Sequence, residues 1–195
     1  TAFDQPCGLV SAGVYQLRKY YGRDKAAGAT GYAYRNIYKP VAGTVLLSIG
    51  ATAIRAADYS INTTTGRVTL AANKSWAITG ISKASSAVLT IPGHSHLVGE
   101  SVQVTGVSGM TEINGRRGLI TSIAGSAVTV AINSSAFSTY TSGGVTNTRP
   151  QTGETVAAGY EFDFPVRFNT ALPVGMDFPG YRVVDGVELI ELLNP

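Results

Sequence analysis

Apolar and polar residues alternate along most of this chain with a period of two, which is the pattern of a β-strand with one buried face. The alternation is clearest in five short runs separated by glycine-rich turns, at 78–82, 87–91, 101–105, 117–123 and 127–132. In each run, Val, Ile, Leu or Ala alternates with small polar residues. The pattern therefore predicts a self-contained all-β module within residues 78–146.

The segments on either side of this module show strand patterns of their own. Residues 13–21 are dense in aromatic and β-branched residues, and a meander is predicted through 44–70, where Asn62 and Gly66 bound a turn. Residues 154–168 predict one long extended strand, in which Pro165 implies an edge position or a bulge. A final strand is predicted within 181–193.

Composition supports an all-β fold. The chain has 195 residues, with 23 Gly, 8 Pro and only 14% charged residues, and it is rich in Thr, Ser and Val. We predict a discontinuous β-sandwich or barrel domain formed by residues 1–75 and 149–195. A small β-barrel domain, residues 76–148, is inserted into it. No apolar run approaches the roughly 20 residues that span a bilayer, so we expect no membrane insertion.

Charge is distributed unevenly between these segments. Residues 1–74 hold nine Lys and Arg against three Asp and Glu, residues 75–149 hold four against two, and residues 150–195 hold two against seven. Opposite charges on the two flanks favour their folding together, and we expect the acids of the last segment to pair with bases of the first. The near-neutral composite argues against a nucleic-acid partner.

Five runs in the flanks carry a family resemblance: 15–22 (YQLRKYYG), 34–45 (YRNIYKPVAGTV), 65–69 (TGRVT), 158–170 (AGYEFDFPVRFNT) and 187–191 (VELIE). They resemble the C-terminal part of a family of tail proteins from tailed phages, prophages and gene-transfer agents, whose members resemble distal tail proteins. The charged and aromatic residues at 161–168 are the most specific part. The resemblance covers most of residues 9–74 and 150–195.

This resemblance implies a structural component of a phage-type tail tip, a scaffold for virion tail assembly and host attachment. The implied partners are the tail tube and the hub, and the implied location is the virion tail, or the bacterial cytoplasm before assembly. Family members also carry an N-terminal region of roughly a hundred residues, the size of a small domain. That region is expected to build a homo-oligomeric ring around the tail axis, and it has no counterpart in this sequence.

The inserted segment has a resemblance of its own, in the runs 78–84 (ITGISKA), 87–91 (AVLTI), 98–116 (VGESVQVTGVSGMTEINGR) and 138–144 (STYTSGG). These runs look like a small β-barrel module common in phage tail proteins and similar to the first catalytic cysteine half-domain of ubiquitin-activating enzymes. That name refers to the place of the domain in those enzymes. The inserted segment has no cysteine, since the single cysteine of the chain is Cys7.

Two histidines stand out in the inserted segment. His94 and His96 lie two residues apart, a spacing that could present both imidazoles to one metal ion, although further ligands are scarce. The simpler alternative is that His94 orders a turn, and we predict no metal site and no cofactor. Asn114-Gly115 predicts a hairpin turn, beside which Arg116 and Arg117 are either solvated or in contact with an anionic partner.

A carbohydrate-binding module that recognises a bacterial surface glycan is the alternative function. Aromatic and basic side chains suited to stacking and to hydrogen bonding with a glycan or a protein partner are Tyr20, Tyr32, Tyr34, Arg35, His94, Arg116 and Tyr140. No nucleophile elbow, phosphate loop or Cys/His pair with a plausible orienting partner is apparent, so we predict that the chain is not an enzyme. A glycosidase built from two of the acids of residues 154–191 is the third hypothesis.

Overall fold

A computed structural model describes residues 2–21, 33–164, 166–169, 174–178, 181–184 and 187–191. The fold is all-β, as predicted, and its sheets are antiparallel. The strands are β1 (Ala2–Pro6), β2 (Gly8–Ser11), β3 (Val14–Gln16), β4 (Arg18–Tyr20), β5 (Tyr34–Asn36), β6 (Leu46–Ile49), β7 (Thr52–Ala53), β8 (Tyr59–Asn62), β9 (Arg67–Leu70), β10 (Ser75–Ala77), β11 (Gly80–Ile81), β12 (Val88–Thr90), β13 (Ser101–Ser108), β14 (Arg117–Ala124), β15 (Ala127–Val130), β16 (Ser142–Asn147), β17 (Val156–Tyr160), β18 (Val166–Phe168), β19 (Val174–Phe178), β20 (Tyr181–Val184) and β21 (Leu189–Glu191). Within these described ranges, single 3₁₀ turns lie at Ala56–Asp58 and Thr111–Ile113.

Two four-stranded sheets from the flanking segments enclose one hydrophobic core and form a β-sandwich, which we call the sandwich. One sheet has the order β1-β17-β6-β7 and the other has the order β2-β3-β9-β8. The buried core combines residues of both sheets and of the segments between their strands: Leu17, Ile37, Val45, Leu47, Ile49, Val68, Leu70, Val156, Ala158 and Tyr160. Since β17 lies between β1 and β6, the last part of the chain is an inner strand of a sheet begun by the first part.

The inserted segment forms a sheet of order β10-β16-β13-β14-β15-β12-β11 around a second core. The two end strands of this sheet, β10 and β11, follow each other directly in the chain. Between them, the amide of Ile78 donates to the Gly144 oxygen on one side, and the amide of Thr79 donates to the Thr90 oxygen on the other. The run 75–81 therefore joins both ends of the sheet and closes it into a barrel. All thirteen buried members of this core lie between Ile78 and Ile132.

Several strands differ from the predicted ones. The stretch 154–168 is two strands, since β17 ends at Tyr160 and β18 begins at Val166. Between them Phe162 pairs with Pro40 instead of continuing the sheet. Pro165, to which we assigned the interruption, lies outside the described residues. The predicted final strand within 181–193 is likewise two strands, β20 and β21, which pair with β19 and β18.

The predicted strand at 13–21 also divides, because Leu17 turns the main chain from one partner to another. Its amide donates to Gly66, while its carbonyl accepts from Ile37. Among the described strands, the pattern missed β1, β2, β5, β10, β16 and β19. Two glycines in β16, Gly143 and Gly144, reduce its strand propensity, yet it is held between β10 and β13.

Gly66 occupies a turn where only glycine fits. Its φ is +63°, and a Cβ at this position would lie 1.7 Å from the carbonyl oxygen of Ile37. The same crowded place holds the amide of Gln16, whose Nε2 donates to the Ile37 oxygen at 2.9 Å and to the Thr65 oxygen at 3.1 Å. The predicted turn therefore also fixes where the loop before β6 packs.

We expect Gly66→Ala to lower the free energy of unfolding by about 3 kcal/mol or more, because the methyl group must displace buried main chain. Gly43→Ala is the matched control: its φ is +79°, but nothing lies within 4 Å of the added Cβ. That control should lose only about 1 kcal/mol from backbone strain. Urea denaturation of both variants measures the difference, and equal losses would contradict the steric role of Gly66.

Candidate functional site at the junction of the barrel and the sandwich

The chain enters and leaves the barrel through two neighbouring, hydrogen-bonded segments. The side-chain amide of Asn73 donates to Asn147 Oδ1 at 3.0 Å, and the amide of Thr148 donates to the Lys74 oxygen at 3.2 Å. In return, the Lys74 amide donates to Thr148 Oγ1 at 2.9 Å, and the Arg149 amide donates to Asn73 Oδ1 at 2.9 Å. The two crossings therefore form one short ladder instead of two independent linkers.

Glu100, the residue before the barrel strand β13, is the first charged centre of the junction. Its side chain is 2% exposed. The carboxylate contacts Lys74 Nζ, accepts from Arg55 Nη2 at 3.1 Å and lies 3.0 Å from His96 Nδ1. Arg55 is itself held by Asp58, through Nε at 2.8 Å and Nη2 at 2.7 Å. A barrel carboxylate is thus bound by two cations from the first flanking segment.

Burial raises the pKa of the Glu100 carboxyl, but hydrogen bonds from His96 and Lys74 outweigh it and lower the pKa to about 2. Since an ionised carboxylate only accepts, His96 Nδ1 carries the proton of that contact. His96 Nε2 lies 2.9 Å from Thr146 Oγ1, so both ring nitrogens are engaged. The charge on Glu100 is therefore built into the folded junction.

Arg117 and Glu154 form the second charged centre. Here the barrel supplies the cation and the sandwich supplies the carboxylate, the reverse of the first centre. The Arg117 side chain is 2% exposed, and it donates from Nε to Glu154 Oε1 at 2.6 Å and from Nη2 to Oε2 at 2.7 Å. It also donates to the carbonyl oxygens of Ser101, Thr148 and Arg149. This paired, planar geometry is the strongest form of an arginine–carboxylate contact.

These contacts correct two expectations. Arg117, which we expected to be solvated or to contact an anionic partner, is buried at the junction. Glu154, which we expected to pair with a base of the first flanking segment, pairs with the barrel instead. Net charge over a whole segment indicates only average attraction, whereas the ion pair depends on which strand ends meet.

A small cavity lies beside Glu100. Its volume is ≈ 40 Å³, and it is lined by apolar Ile49, Ile54 and Leu70 together with the charged residues Asp58, Lys74, Glu100 and Arg149. This space holds about two or three water molecules and is too small for an organic substrate. The junction is therefore a packed joint between two bodies, and not a reaction cleft.

The two histidines of the inserted segment make separate contacts. His94 Nε2 lies 3.1 Å from the Gly125 oxygen, and its Nδ1 accepts from the His96 amide at 3.1 Å. The two rings are 5.6 Å apart, centroid to centroid. His94 thus holds its own turn against the turn between β14 and β15, while His96 belongs to the junction.

The other candidate glycan contacts of the barrel lie elsewhere. Arg116 covers the Phe137 ring at 4.9 Å and donates to the Glu112 oxygen at 2.8 Å. The Tyr140 hydroxyl is 3.1 Å from the Ile78 oxygen and 3.0 Å from the Gly143 oxygen. Arg116 lies just before β14, whereas His94 contacts the turn just after β14. The length of this strand, roughly 25 Å, therefore separates Arg116 from His94. His94 and Arg116, two of the barrel residues that we predicted as one glycan contact, are therefore far apart.

The aromatic and basic residues of the first flanking segment lie on two faces of the β4–β5 pair. Tyr20 is directly opposite Tyr34, with ring centroids 5.3 Å apart, and the Arg18 guanidinium covers the Tyr34 ring at 4.2 Å. Arg35, the next residue on β5, points to the other face and lies 4.9 Å from the Phe164 ring. Tyr32 lies outside the described residues.

Sequence reasoning did not predict that five charged residues meet at this junction: Arg55, Lys74, Glu100, Arg117 and Glu154. Their contacts join positions 26 to 45 residues apart in the chain, so no local spacing marks them. One usable signal was present: Arg117 begins a run that is otherwise uncharged through Ala124. A lone arginine in such a strand indicates either an exposed face or a buried partner, and only the fold decides between them.

Comparison of the chain with models of known protein families and with curated protein sequences finds no match. Within the described part of the chain, no three or more His, Cys, Asp and Glu side chains group in a way that could hold a metal ion. None of the described helical segments has the length and hydropathy needed to cross a membrane. The fold and the junction therefore carry the functional argument.

We expect Glu100→Gln to destabilise the protein at pH 7 by about 3 kcal/mol, because it leaves the charges of Lys74 and Arg55 without their buried partner. The pKa of Glu100 is about 2 when folded and 4.5 in an ordinary environment, so its contribution is present above pH 4.5. That contribution is lost as the pH falls from 4.5 through 2.

Urea denaturation between pH 7 and pH 3 checks this prediction. The difference in free energy of unfolding between the parent chain and Glu100→Gln should decrease over the acidic part of this range. Glu161→Gln is the control, because Glu161 is exposed and its loss should change stability by less than about 0.5 kcal/mol. A gap of constant size from pH 7 to pH 3 would exclude the proposed role of the Glu100 charge.

We also expect the junction to hold the barrel in one orientation. Spin labels on Thr63→Cys in the sandwich and Ser126→Cys in the barrel, both at exposed turns, should give one narrow distance distribution by pulsed electron paramagnetic resonance. The native thiol is replaced by Cys7→Ser. Arg117→Met should broaden the distribution, whereas Arg116→Met, its exposed neighbour, should leave it narrow. A broad distribution in the parent protein would show that the joint is loose.

Proposed function

We propose that this chain is a structural component of a phage-type tail tip, similar to the C-terminal region of a distal tail protein. In this proposal the sandwich attaches to other tail proteins, the tail tube and the hub among them, and the barrel projects from it. A longer form of the protein carrying the ring-forming region would assemble as a homo-oligomeric ring. The observation that carries the proposal is the two-centred ionic joint, together with the resemblance of the flanks.

A buried ion pair contributes little net stability, because desolvation of the charges offsets most of their attraction. What it does provide is geometry: the bidentate Arg117–Glu154 contact allows one relative orientation of the two bodies. A second centre, Glu100 with Arg55 and Lys74, fixes the remaining rotation. Such a joint is suited to a protein that must present one module at a constant angle in every copy of an assembly.

The barrel itself is suited to projection from a surface. An open sheet presents unpaired strand edges that pair with other chains, but the run 75–81 joins the two ends of this sheet and leaves only the short strands β10 and β11 with one unpaired side each. The barrel can therefore face solvent in many neighbouring copies without edge-to-edge association. This favours a projecting module over one that builds the assembly by strand addition.

Catalysis has less support in the described residues. The most strongly perturbed carboxyl, Glu100, is enclosed by its partners, and the adjoining cavity admits only water-sized molecules. Burial raises the pKa of the Cys7 thiol to about 12, so it is protonated and unreactive at neutral pH. Glycan recognition also has less support, because its candidate residues are divided among separate places on the two bodies.

Gold-labelled antibodies against the full chain test the proposed function. In electron micrographs of tail particles from cells that carry the encoding tail genes, the label should mark one end of each particle. Antibody absorbed beforehand with the purified chain is the control and should leave the particles unlabelled. Particles without label, or label spread along the whole tube, would contradict a tail-tip location.

A further inference from the structure

β8 is an edge strand of the sandwich, and among the described strands only β9 pairs with it. Just before β8, the amide of Ala71 donates to the Asp58 oxygen at 2.8 Å, in the same register as the strand pair. Hydrogen-bonded pairs alternate with non-hydrogen-bonded pairs along antiparallel strands, so the amides and carbonyls of Tyr59 and Ile61 point away from β9. The outer side of β8 therefore presents donors and acceptors that a further strand can bind.

The other three edge strands of the sandwich have features that block strand pairing. β1 has a bulge between Ala2 and Gln5, and β4 lies beside it, where the Tyr20 amide donates to Gln5 Oε1 at 2.8 Å. β2 has a bulge between Leu9 and Ser11, and β7 is two residues long. Bulges, very short strands, proline and charged residues protect sheet edges from association. β8 has instead an unbroken register and the uncharged sequence Tyr-Ser-Ile-Asn.

The side chains of β8 divide into two faces. Tyr59 and Ile61 are half-buried and pack against the sandwich core, and the Tyr59 hydroxyl donates to the Val45 oxygen at 2.8 Å. Ser60 and Asn62 are exposed on the opposite face. A strand added at this edge would extend the apolar face of the sheet with Tyr59 and Ile61, and it would meet only small polar side chains on the other face.

We propose that β8 pairs with β8 of a second copy of this chain, across a two-fold axis at Ser60. In this antiparallel register Tyr59 lies opposite Ile61 of the second copy, and all the outward-pointing amides and carbonyls of these residues are hydrogen-bonded. The four-stranded sheets of the two copies become one continuous sheet. An aromatic residue opposite a β-branched residue is a stabilising pair in an antiparallel sheet.

The charges beside β8 are compatible with this register. Asp58, which Arg55 binds, lies opposite Asn62 of the second copy. Asn62 Oδ1 accepts from two amides of its own turn, so its Nδ2 is the group that can donate to the Asp58 carboxylate. The Asp58 residues of the two copies are about 14 Å apart along the strands, beyond the Debye length of about 8 Å. Arg67, opposite Asn62 on β9, lies further still from its counterpart.

This contact goes beyond the proposed tail-tip function and does not rest on it. The labelling experiment can fail while the dimer forms, and the dimer can fail while the label marks the tail tip. A strand of four residues covers less than the roughly 800 Å² per partner of a standard interface. We therefore expect a dissociation constant on the order of 100 µM.

Sedimentation velocity of the full chain from about 10 µM to about 1 mM tests the proposal, and the parent chain should shift from monomer to dimer over this range. Ser60→Lys should weaken dimerisation at least tenfold, because the two lysines meet at the axis. Thr69→Lys is the matched control and should dimerise like the parent. Thr69 is exposed and opposite Ser60 on β9, but it lies about 15 Å from its own counterpart.

A parent chain that stays monomeric at about 1 mM, or equal behaviour of the two lysine variants, would overturn the proposal and leave the edge to a strand of another protein. A mixture of two variants tests the axis itself. Ser60→Lys and Ser60→Glu should each be monomeric alone, whereas an equal mixture should form a heterodimer, since opposite charges meet only if position 60 faces itself. A mixture of folded chains that stays monomeric would exclude a two-fold axis at Ser60.

Disulfide cross-linking tests the same register without a change of charge. Position 60 belongs to a non-hydrogen-bonded pair in the proposed dimer, where opposite Cα atoms are about 4.5 Å apart, a distance that a disulfide can span. In a Cys7→Ser background, mild oxidation should link Ser60→Cys into a covalent dimer and leave Thr69→Cys unlinked. Equal cross-linking of the two cysteine variants would contradict the proposed register.

Discussion

The architecture depends on the contact between Arg117 of the barrel and Glu154 of the sandwich. Both side chains are removed from water, and the guanidinium also satisfies main-chain oxygens at the point where the barrel returns to the sandwich. Desolvation makes such a contact a poor source of net stability. The contact nevertheless requires one geometry, so any other placement of the barrel would leave a buried charge unpaired. The free-energy cost of that unpaired charge is larger than the net stability that the contact provides.

The second centre follows from the same constraint with the signs exchanged. Glu100 comes from the barrel, and its cations Arg55 and Lys74 come from the flanking segment and the entry into the barrel. The barrel carries the acid of one pair and the base of the other. If the barrel were rotated so that the two centres changed places, like charges would meet, which would not happen if the barrel carried the same sign of charge at both centres. His96 contributes by filling the remaining side of the Glu100 carboxylate, and so belongs to the joint and not to a surface site.

The sequence predicted the all-β class and most of the strands of residues 78–146, because alternation there reflects burial on one side of each strand. It did not predict where β17 ends, since the aromatic alternation through Phe162 and Phe164 continues after the main chain has left the sheet. It missed β16, whose glycines obscure a strand that its neighbours hold in place. The junction was beyond sequence reasoning for a different reason: Glu100 and Arg117 resemble surface charges until the fold places their partners beside them.

The entry and exit of the barrel are adjacent antiparallel strands, β10 and β16, joined to each other by hydrogen bonds. A pull on the far side of the barrel is consequently divided between two covalent connections that run side by side. Neither strand slides past the other under this tension, since both are drawn in the same direction. The barrel is a tethered body with two parallel anchors, and a force acting on it reaches both sheets of the sandwich, through β9 on the entry side and β17 on the exit side.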